Sequence, residues 1–200
     1  MSAADVRRDW HLVEPAIRKE VKCFDDNGTF TLQLRSEAHN VCSSRWVFKY
    51  KSIDNVRTVK ARLTIRGFED MSVSEDNYAG TATRWSQRVI ASVAVQRIWR
   101  IFVTDVSTAF LRSMSFSDMA KDSGGVAREV SFVPPIGSEM YFKELPKMRS
   151  YDPLTHVLRL LKPVYGLKDA PAAWKKQLNR VLLLAGGKQL HTDSCLWYMV

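Results

Sequence analysis

In two neighbouring segments of the chain, apolar side chains alternate with mostly basic ones, and this pattern constrains the fold more than any other. In the first segment, residues 45–51, the aromatic side chains share one face, namely Trp46, Phe48 and Tyr50. In the second, residues 59–66, the apolar side chains share one face, namely Val59, Ala61, Leu63 and Ile65. A two-residue period is typical of strands with one buried face. With a turn over 52–55, the sequence predicts an antiparallel hairpin.

The opposite face of this hairpin is strongly basic and includes Lys60, Arg62 and Arg66. Like charges that face each other across two strands repel, so such a face is unfavourable without an anion. Guanidinium groups bind phosphate oxygens in pairs, which makes these three residues a candidate clamp for a triphosphate or a phosphodiester. The alternative is a solvated edge protected by lysines.

The charge balance favours an anionic partner. Of the 200 residues, 30 are Lys or Arg and 21 are Asp or Glu, which gives a formal net charge of +9. This favours nucleic acid over a membrane surface, the alternative being a merely soluble basic protein. No apolar run approaches the roughly 18 residues of a membrane span, and no signal peptide is recognisable. Three widely spaced cysteines fit an intracellular protein, cytoplasmic or nuclear, that is not secreted.

The remaining periodicities predict a mixed α+β chain, as one domain or two intimate subdomains. Helices are expected over 8–24, 83–98 and 171–185, and strands over 29–34, 130–133 and 157–161. Another strand is expected to begin at 193 and to be cut off at Val200. Residues 112–129 are interpreted as an exposed insertion with a short helix.

A lone carboxylate, Asp105, follows the apolar run 101–103, which is interpreted as a buried strand. A buried ionised Asp is costly unless a cation or a hydrogen-bond network compensates it. One interpretation is that Asp105 caps the following turn through its own backbone. The other is that it is a magnesium ligand in a phosphoryl-transfer site.

A second motif, residues 163–171, joins a loop to a helix. Gly166 permits an unusual backbone, and Asp169 is expected to cap a helix that has Pro171 in its first turn. The motif needs no function as a loop and helix start. A helix N-terminus beside Lys168 is also a good place for a phosphate.

Four blocks, in order and spacing, resemble the copia-type reverse transcriptases of LTR retrotransposons. The blocks are Ser-Arg-Trp-Val-Phe-Lys at 44–49, Lys-Ala-Arg-Leu at 60–63 with Arg-Gly-Phe at 66–68, Asp-Val at 105–106 with Ala-Phe-Leu at 109–111, and Tyr-Gly-Leu-Lys at 165–168 with Ala170, Pro171 and Trp174. The resemblance covers the chain from near Trp10 to its end. It implies a right-hand polymerase fold, with a lead-in over 1–44, fingers over 45–100, and palm with a returning fingers segment over 101–200.

The resemblance also implies roles for individual residues. Asp105 is similar to the first metal-binding aspartate of the palm, with the Val106 carbonyl as a further ligand, and two magnesium ions complete the family's site. Phe110 is similar to the aromatic residue that stacks under the deoxyribose and excludes a 2′-hydroxyl. Contacts with the nucleotide or the template are implied for Lys60, Arg62, Arg66, Tyr165, Gly166 and Lys168. The implied partners are deoxynucleoside triphosphates and an RNA or DNA template with its primer.

The chain departs from the family pattern in three places. Asp169 and Ala172 replace the usual Gln and Arg, which puts a negative charge near expected nucleic acid. Residues 112–129 are longer than the usual connection. The Tyr-x-Asp-Asp hairpin, which supplies the other catalytic carboxylates, is not in the 200 residues.

We therefore expect a truncated polymerase fragment that does not itself add deoxynucleotides to a primer 3′ end, because two-metal catalysis needs carboxylates from both elements. The alternative is a non-enzymatic, nucleic-acid-binding remnant of a retroelement. An unrelated basic α+β protein would require all four blocks to coincide by chance.

Overall fold

The computed structural model describes residues 1–72 and 77–199 and has a mixed α/β fold. Its strands are β1 (Phe30–Leu34), β2 (Val41–Cys42), β3 (Ser44–Ile53), β4 (Val56–Ile65), β5 (Ser131–Phe132), β6 (His156–Leu160), β7 (Lys188–Gln189) and β8 (Trp197–Tyr198). Its helices are α1 (Ala3–Arg8), α2 (Trp10–Asp26), α3 (Arg84–Gln96), α4 (Phe116–Ser123), α5 (Glu139–Lys143) and α6 (Ala170–Leu184), with 3₁₀ turns at Arg35–Glu37, Ala109–Arg112 and Pro146–Met148.

The central sheet has the strand order β1-β6-β5-β2. β6 pairs antiparallel with both β1 and β5, whereas β2 pairs parallel with β5. Strands from the first 44 residues are thus joined to strands from the second half of the chain. The predicted strands over 29–34, 130–133 and 157–161 are confirmed, the second of them in shortened form.

The basic hairpin, β3 with β4, is antiparallel, as predicted. Trp46 lies opposite Leu63, and Phe48 lies opposite Ala61, so these apolar side chains share one face. Asp54 and Asn55 form the two-residue turn and both have positive φ, which suits the twist of a tight hairpin. The apolar face of β4 is buried against α2, whose own buried apolar residues are Val13, Ile17, Val21 and Phe24. The prediction of one apolar and one basic face is confirmed.

Two glycines bring β4 into backbone contact with the 163–169 loop. The Ile65 N–H donates to the Tyr165 carbonyl at 2.9 Å. Gly166 has φ +98°, and a Cβ there would lie 1.9 Å from the Ile65 carbonyl oxygen. A Cβ on Gly67 would lie 2.2 Å from the Gly166 oxygen. Only glycine allows these two backbone segments to come this close.

The predicted strand before Asp105 is not formed. Residues 99–106 have no regular secondary structure, and Ile101, Phe102 and Val103 are 64%, 82% and 94% exposed. An apolar run forms a strand only where a neighbouring chain pairs with its backbone and covers its side chains. None of the residues in 1–72 and 77–199 pairs with this run. The prediction that Asp105 lies at a buried position is therefore wrong.

The other predicted helices are present, but their environments differ from expectation. α3, predicted over 83–98, spans Arg84–Gln96 and is capped by Thr83, yet Trp85 is 74% exposed and Ala94 is its buried residue. α4 confirms a short helix within 112–129, although Phe116 is buried. Helical periodicity indicates which residues share a face, but not whether another element covers that face.

Asp169 stands at the N-cap position of α6, but its side chain makes no capping hydrogen bond. Its carboxylate binds the Arg128 guanidinium instead, because a charged donor is a stronger partner than backbone N–H groups. The predicted side-chain cap is therefore wrong.

The C-terminal strand is present in shortened form. The strand expected from 193 is the short β8, which pairs antiparallel with β7, while Val200 lies outside the described residues. Within 1–72 and 77–199, no helix has the length and apolar character needed to cross a membrane.

Candidate functional site

A cleft of about 530 Å³ lies between α2, residues 58–62 of β4 and the 105–110 segment. Its lining includes six residues singled out in the sequence, namely Lys60, Arg62, Asp105, Val106, Phe110 and Tyr165. The first two come from β4, the next three from the 105–110 segment, and Tyr165 from the loop that the glycine contact fixes. Three segments that are distant in sequence thus form one concave surface.

The Asp105 carboxylate is exposed in the cleft. It forms no hydrogen bond or ion pair with the residues in 1–72 and 77–199, so the proposed turn-capping bond is not formed. Thr108 has a left-handed backbone, with φ +55°, and its carbonyl accepts the Leu111 N–H at 2.8 Å. Because Leu111 is fully buried, it anchors the 3₁₀ turn that follows. The segment therefore presents a free carboxylate to the cleft from an anchored turn.

The aromatic wall of the cleft is formed by Phe110 and Tyr165. Their ring centroids are 5.6 Å apart at an interplanar angle of 55°, and the Arg62 guanidinium lies 5.5 Å from the Tyr165 ring centroid. Burial, reinforced by the Glu20 carboxylate, raises the pKa of Tyr165 to about 12, and Arg62 opposes this shift. The phenol is therefore neutral at physiological pH, and Arg62 is held over its ring.

Sequence reasoning missed Glu20, which lines the same cleft from α2. It is 7% exposed, and its Oε1 accepts the Leu63 N–H of β4 at 3.3 Å. Burial raises the pKa of Glu20, while the Leu63 hydrogen bond and the charges of Lys60 and Arg62 oppose that shift. A signal was present, since position 20 follows Ile17 by three residues on the apolar face of the predicted helix.

The cationic side of the cleft consists of four groups, namely Lys19, Lys51, Lys60 and Arg62. Burial, together with the charges of Arg62 and Lys51, lowers the pKa of Lys60, while Glu20 and Asp105 oppose this change. Cations crowded in this way favour an anion, because an anion relieves their mutual repulsion.

The structure separates Arg66 from Lys60 and Arg62. Arg66 and Gly166 line a second depression of about 390 Å³, together with Arg45 and the exposed ring of Phe68. Lys168 is exposed and belongs to the lining of neither cavity. The basic side chains of the hairpin thus line two cavities, the cleft and the second depression.

The described cleft does not make a complete magnesium site. Mg²⁺ requires near-octahedral oxygen coordination, usually with more than one charged oxygen nearby. No cluster of three or more His, Cys, Asp or Glu side chains suited to a metal occurs within 1–72 and 77–199. Glu20 is committed to Leu63, so Asp105 contributes the uncommitted carboxylate of this lining.

Comparison with known proteins decides the family. The family described as "Reverse transcriptase (RNA-dependent DNA polymerase)" matches residues 27–199. The chain belongs to this family. Two Arabidopsis thaliana relatives are the retrovirus-related Pol polyproteins from transposons RE1 and RE2, which are 27% and 28% identical over 92% and 80% of this chain. The corresponding polyprotein from transposon TNT 1-94 of Nicotiana tabacum is 26% identical over 92% of it.

The matched region is a small part of those polyproteins. The chain spans 12% of the RE1 and TNT 1-94 proteins and 10% of the RE2 protein. No solved structure matches it. The resemblance to copia-type reverse transcriptases is confirmed, and the mixed α/β fold with antiparallel pairing is consistent with a reverse transcriptase domain.

Within this reverse transcriptase domain, all four sequence blocks meet around one junction. The hairpin supplies the basic wall, the 105–111 block supplies the free carboxylate and one aromatic ring, and the 165–168 block supplies the other ring. The glycine contact holds the last block against the hairpin.

Proposed function

We propose that the cleft is the deoxynucleoside triphosphate site of an RNA-directed DNA polymerase from a copia-type retrotransposon. The observation that carries the proposal is the meeting of a basic wall, an aromatic pair and a free carboxylate in one cavity of about 530 Å³. A nucleotide presents three matching features, namely a polyanionic tail, an apolar sugar face and phosphate-bound cations.

Each group has a role in this proposal. Lys60 and Arg62 neutralise the triphosphate, and the Phe110 ring lies under the deoxyribose. Asp105 shares a divalent cation with the phosphates, with the Val106 carbonyl beside it. Arg66 and Gly166 in the second depression, together with the exposed Lys168, face the template. Residues 45–100 then form fingers, and 101–200 form palm with a returning fingers segment.

Among the cleft residues in 1–72 and 77–199, one free carboxylate does not complete a two-ion site, and the proposal therefore includes no polymerisation by the 200 residues alone. The exposed Asp105 segment also favours a second candidate, a non-enzymatic module that binds nucleic acid through its basic hairpin. The two candidates differ in whether a nucleoside triphosphate binds the cleft.

The test is equilibrium binding of a deoxynucleoside triphosphate to the purified chain with and without Mg²⁺. Lys60→Ala combined with Arg62→Ala should weaken binding at least about tenfold, since two charge-assisted contacts are lost. Asp105→Asn should remove the part of the affinity that depends on Mg²⁺. Lys49→Ala is the matched control, because Lys49 lies opposite Lys60 on the same hairpin but outside the cleft lining. Equal effects in the control and in the double variant would contradict the proposal.

A primer-extension assay completes the test. We expect no template-dependent extension above background from the purified chain. Extension that disappears in Asp105→Asn would show that the chain alone assembles an active site.

A further inference from the structure

Arg128 ties together three segments that are distant in sequence. Its Nη1 donates to the Asp169 carboxylate and its Nη2 donates to the Asp70 carboxylate. The side chains of Asp70 and Asp169 are 4% and 6% exposed, and that of Arg128 is 14% exposed. A guanidinium can bridge two carboxylates in this way because its N–H groups form a rigid fork.

Asp70, Arg128 and Asp169 form an ion triad. Its two carboxylates differ in the further hydrogen bonds that they accept. In one arm, the Asp70 Oδ1 also accepts the Asn40 amide and the Ser72 N–H, both at 2.9 Å. In the other arm, the Asp169 Oδ1 is buried without a hydrogen-bond partner among the described residues. The Asp169 carboxylate therefore depends on Arg128, whereas Asp70 has further partners.

This dependence bears on the surface charge of the 163–169 loop. Lys168 is exposed, and Asp169, next to it in the chain, is buried. A buried carboxylate that loses its cation is strongly unfavourable and is relieved by moving into water. Without Arg128, a negative charge would emerge beside Lys168 and Gly166.

We propose that Arg128 is a positioning residue that keeps Asp169 inside, so that the 163–169 loop presents Lys168 alone to a nucleic-acid phosphate backbone. The proposal rests on the proposed function in that its ligand is a nucleic acid. It gives the 112–129 segment a role, since that segment carries the guanidinium that neutralises Asp169. The negative charge expected near nucleic acid from the sequence is thereby sequestered.

The test is fluorescence anisotropy of a labelled primer–template duplex titrated with the full chain at several salt concentrations. Arg128→Met should weaken binding by about three- to tenfold, because an exposed carboxylate repels phosphate. Adding Asp169→Asn should restore affinity to within about twofold of wild type. Adding Asp70→Asn instead is the matched control, because it removes the same charge from the other arm and should not restore binding.

A second measurement is amide hydrogen exchange over residues 164–170 without nucleic acid, which tests the positioning role of Arg128 independently of duplex binding. Arg128→Met should speed exchange there, and Asp169→Asn, unlike Asp70→Asn, should slow it again. If wild type binds no duplex, the nucleic-acid partner in this proposal is overturned, whereas triphosphate binding still tests the proposed function and exchange still tests the positioning role. If Arg128→Met does not fold, Asp169→Asn and Asp70→Asn are each added to Arg128→Lys instead, because the lysine ammonium lacks the fork of N–H groups. Equal rescue by the two Asn substitutions, or wild-type behaviour of Arg128→Met, would overturn the proposal.

Discussion

Gly166→Ala tests the junction that places the aromatic wall of the cleft. The new Cβ would lie 1.9 Å from the Ile65 carbonyl oxygen, whereas ordinary van der Waals contact begins at 3.4 Å. The obstructing atom belongs to the backbone of β4, so no side-chain rotation relieves the overlap. The loop must move away from the hairpin by more than 1 Å, as a rough consequence of these distances. The hydrogen bond from Ile65 to Tyr165, now 2.9 Å long, is then broken.

The magnitude follows from three contributions. The left-handed φ of +98° disfavours a residue with a Cβ by about 1–2 kcal/mol. Loss of the backbone hydrogen bond with both groups left buried adds about 1–3 kcal/mol. The neighbouring Val164 and Leu167 are buried, so their displacement adds lost apolar contact. Gly166→Ala should therefore lower the free energy of unfolding by about 3–5 kcal/mol, a large effect for one methyl group.

The assay is urea denaturation followed by far-UV circular dichroism. Gly186→Ala is the matched control, because Gly186 has φ +84° and a Cβ there would meet nothing within 4 Å. The control should lose only the conformational contribution, about 1–2 kcal/mol. If the free energy of unfolding falls equally in both variants, the close approach of β4 and the 163–169 loop does not stabilise the fold, and the reasoning is wrong. If Gly166→Ala folds, its triphosphate affinity should also fall, since Tyr165 lines the cleft.

Three further variants have defined outcomes. Burial raises the pKa of Glu20 above its ordinary value of 4.5. The wild type therefore loses stability as the pH rises from 4.5 through that raised pKa, and the urea midpoint of Glu20→Gln should rise relative to wild type over the same range. Hydrogen bonds from Ser86 and from the Thr83 and Cys195 backbones hold the pKa of Asp193 at about 2. Its stabilisation is present above pH 3.8 and is lost as the pH falls towards 2, so Asp193→Asn should flatten the fall in melting temperature over that range. Phe110→Ala should reduce the preference for deoxy- over ribonucleoside triphosphates in competition binding, and an unchanged ratio would remove the ring from the sugar site.

The hairpin could be predicted from the sequence because a two-residue period determines which side chains face each other. Once the turn at Asp54 and Asn55 sets the register, the grouping of Lys60 and Arg62 on one face follows. The grouping of Asp105, Phe110 and Tyr165 with these cations is what the resemblance to copia-type reverse transcriptases implies, and the cavity lining agrees with it.

The state of residues 99–106 and of α3 could not be predicted in the same way. Their apolar patterns match a buried strand and an amphipathic helix, but burial depends on what covers them. The pairing of Asp169 with Arg128 joins residues 41 positions apart and leaves no periodic signal in the chain. Local rules favoured a helix cap for Asp169 because they consider only nearby partners. Glu20 differs, since its position on an apolar helical face was visible in the sequence.

The 163–169 loop is held at two points, in its middle and at its last residue, and this explains how distant residues bear on the cleft. Arg128 holds the loop at Asp169, and the Gly166 contact holds it against β4. Directly before Gly166, the Tyr165 ring contacts Phe110 and lies beneath the Arg62 guanidinium. A displacement of the loop therefore moves the aromatic wall and the basic wall relative to each other. The geometry that a triphosphate would meet thus depends on an ion triad outside the cleft, in addition to the residues that line it.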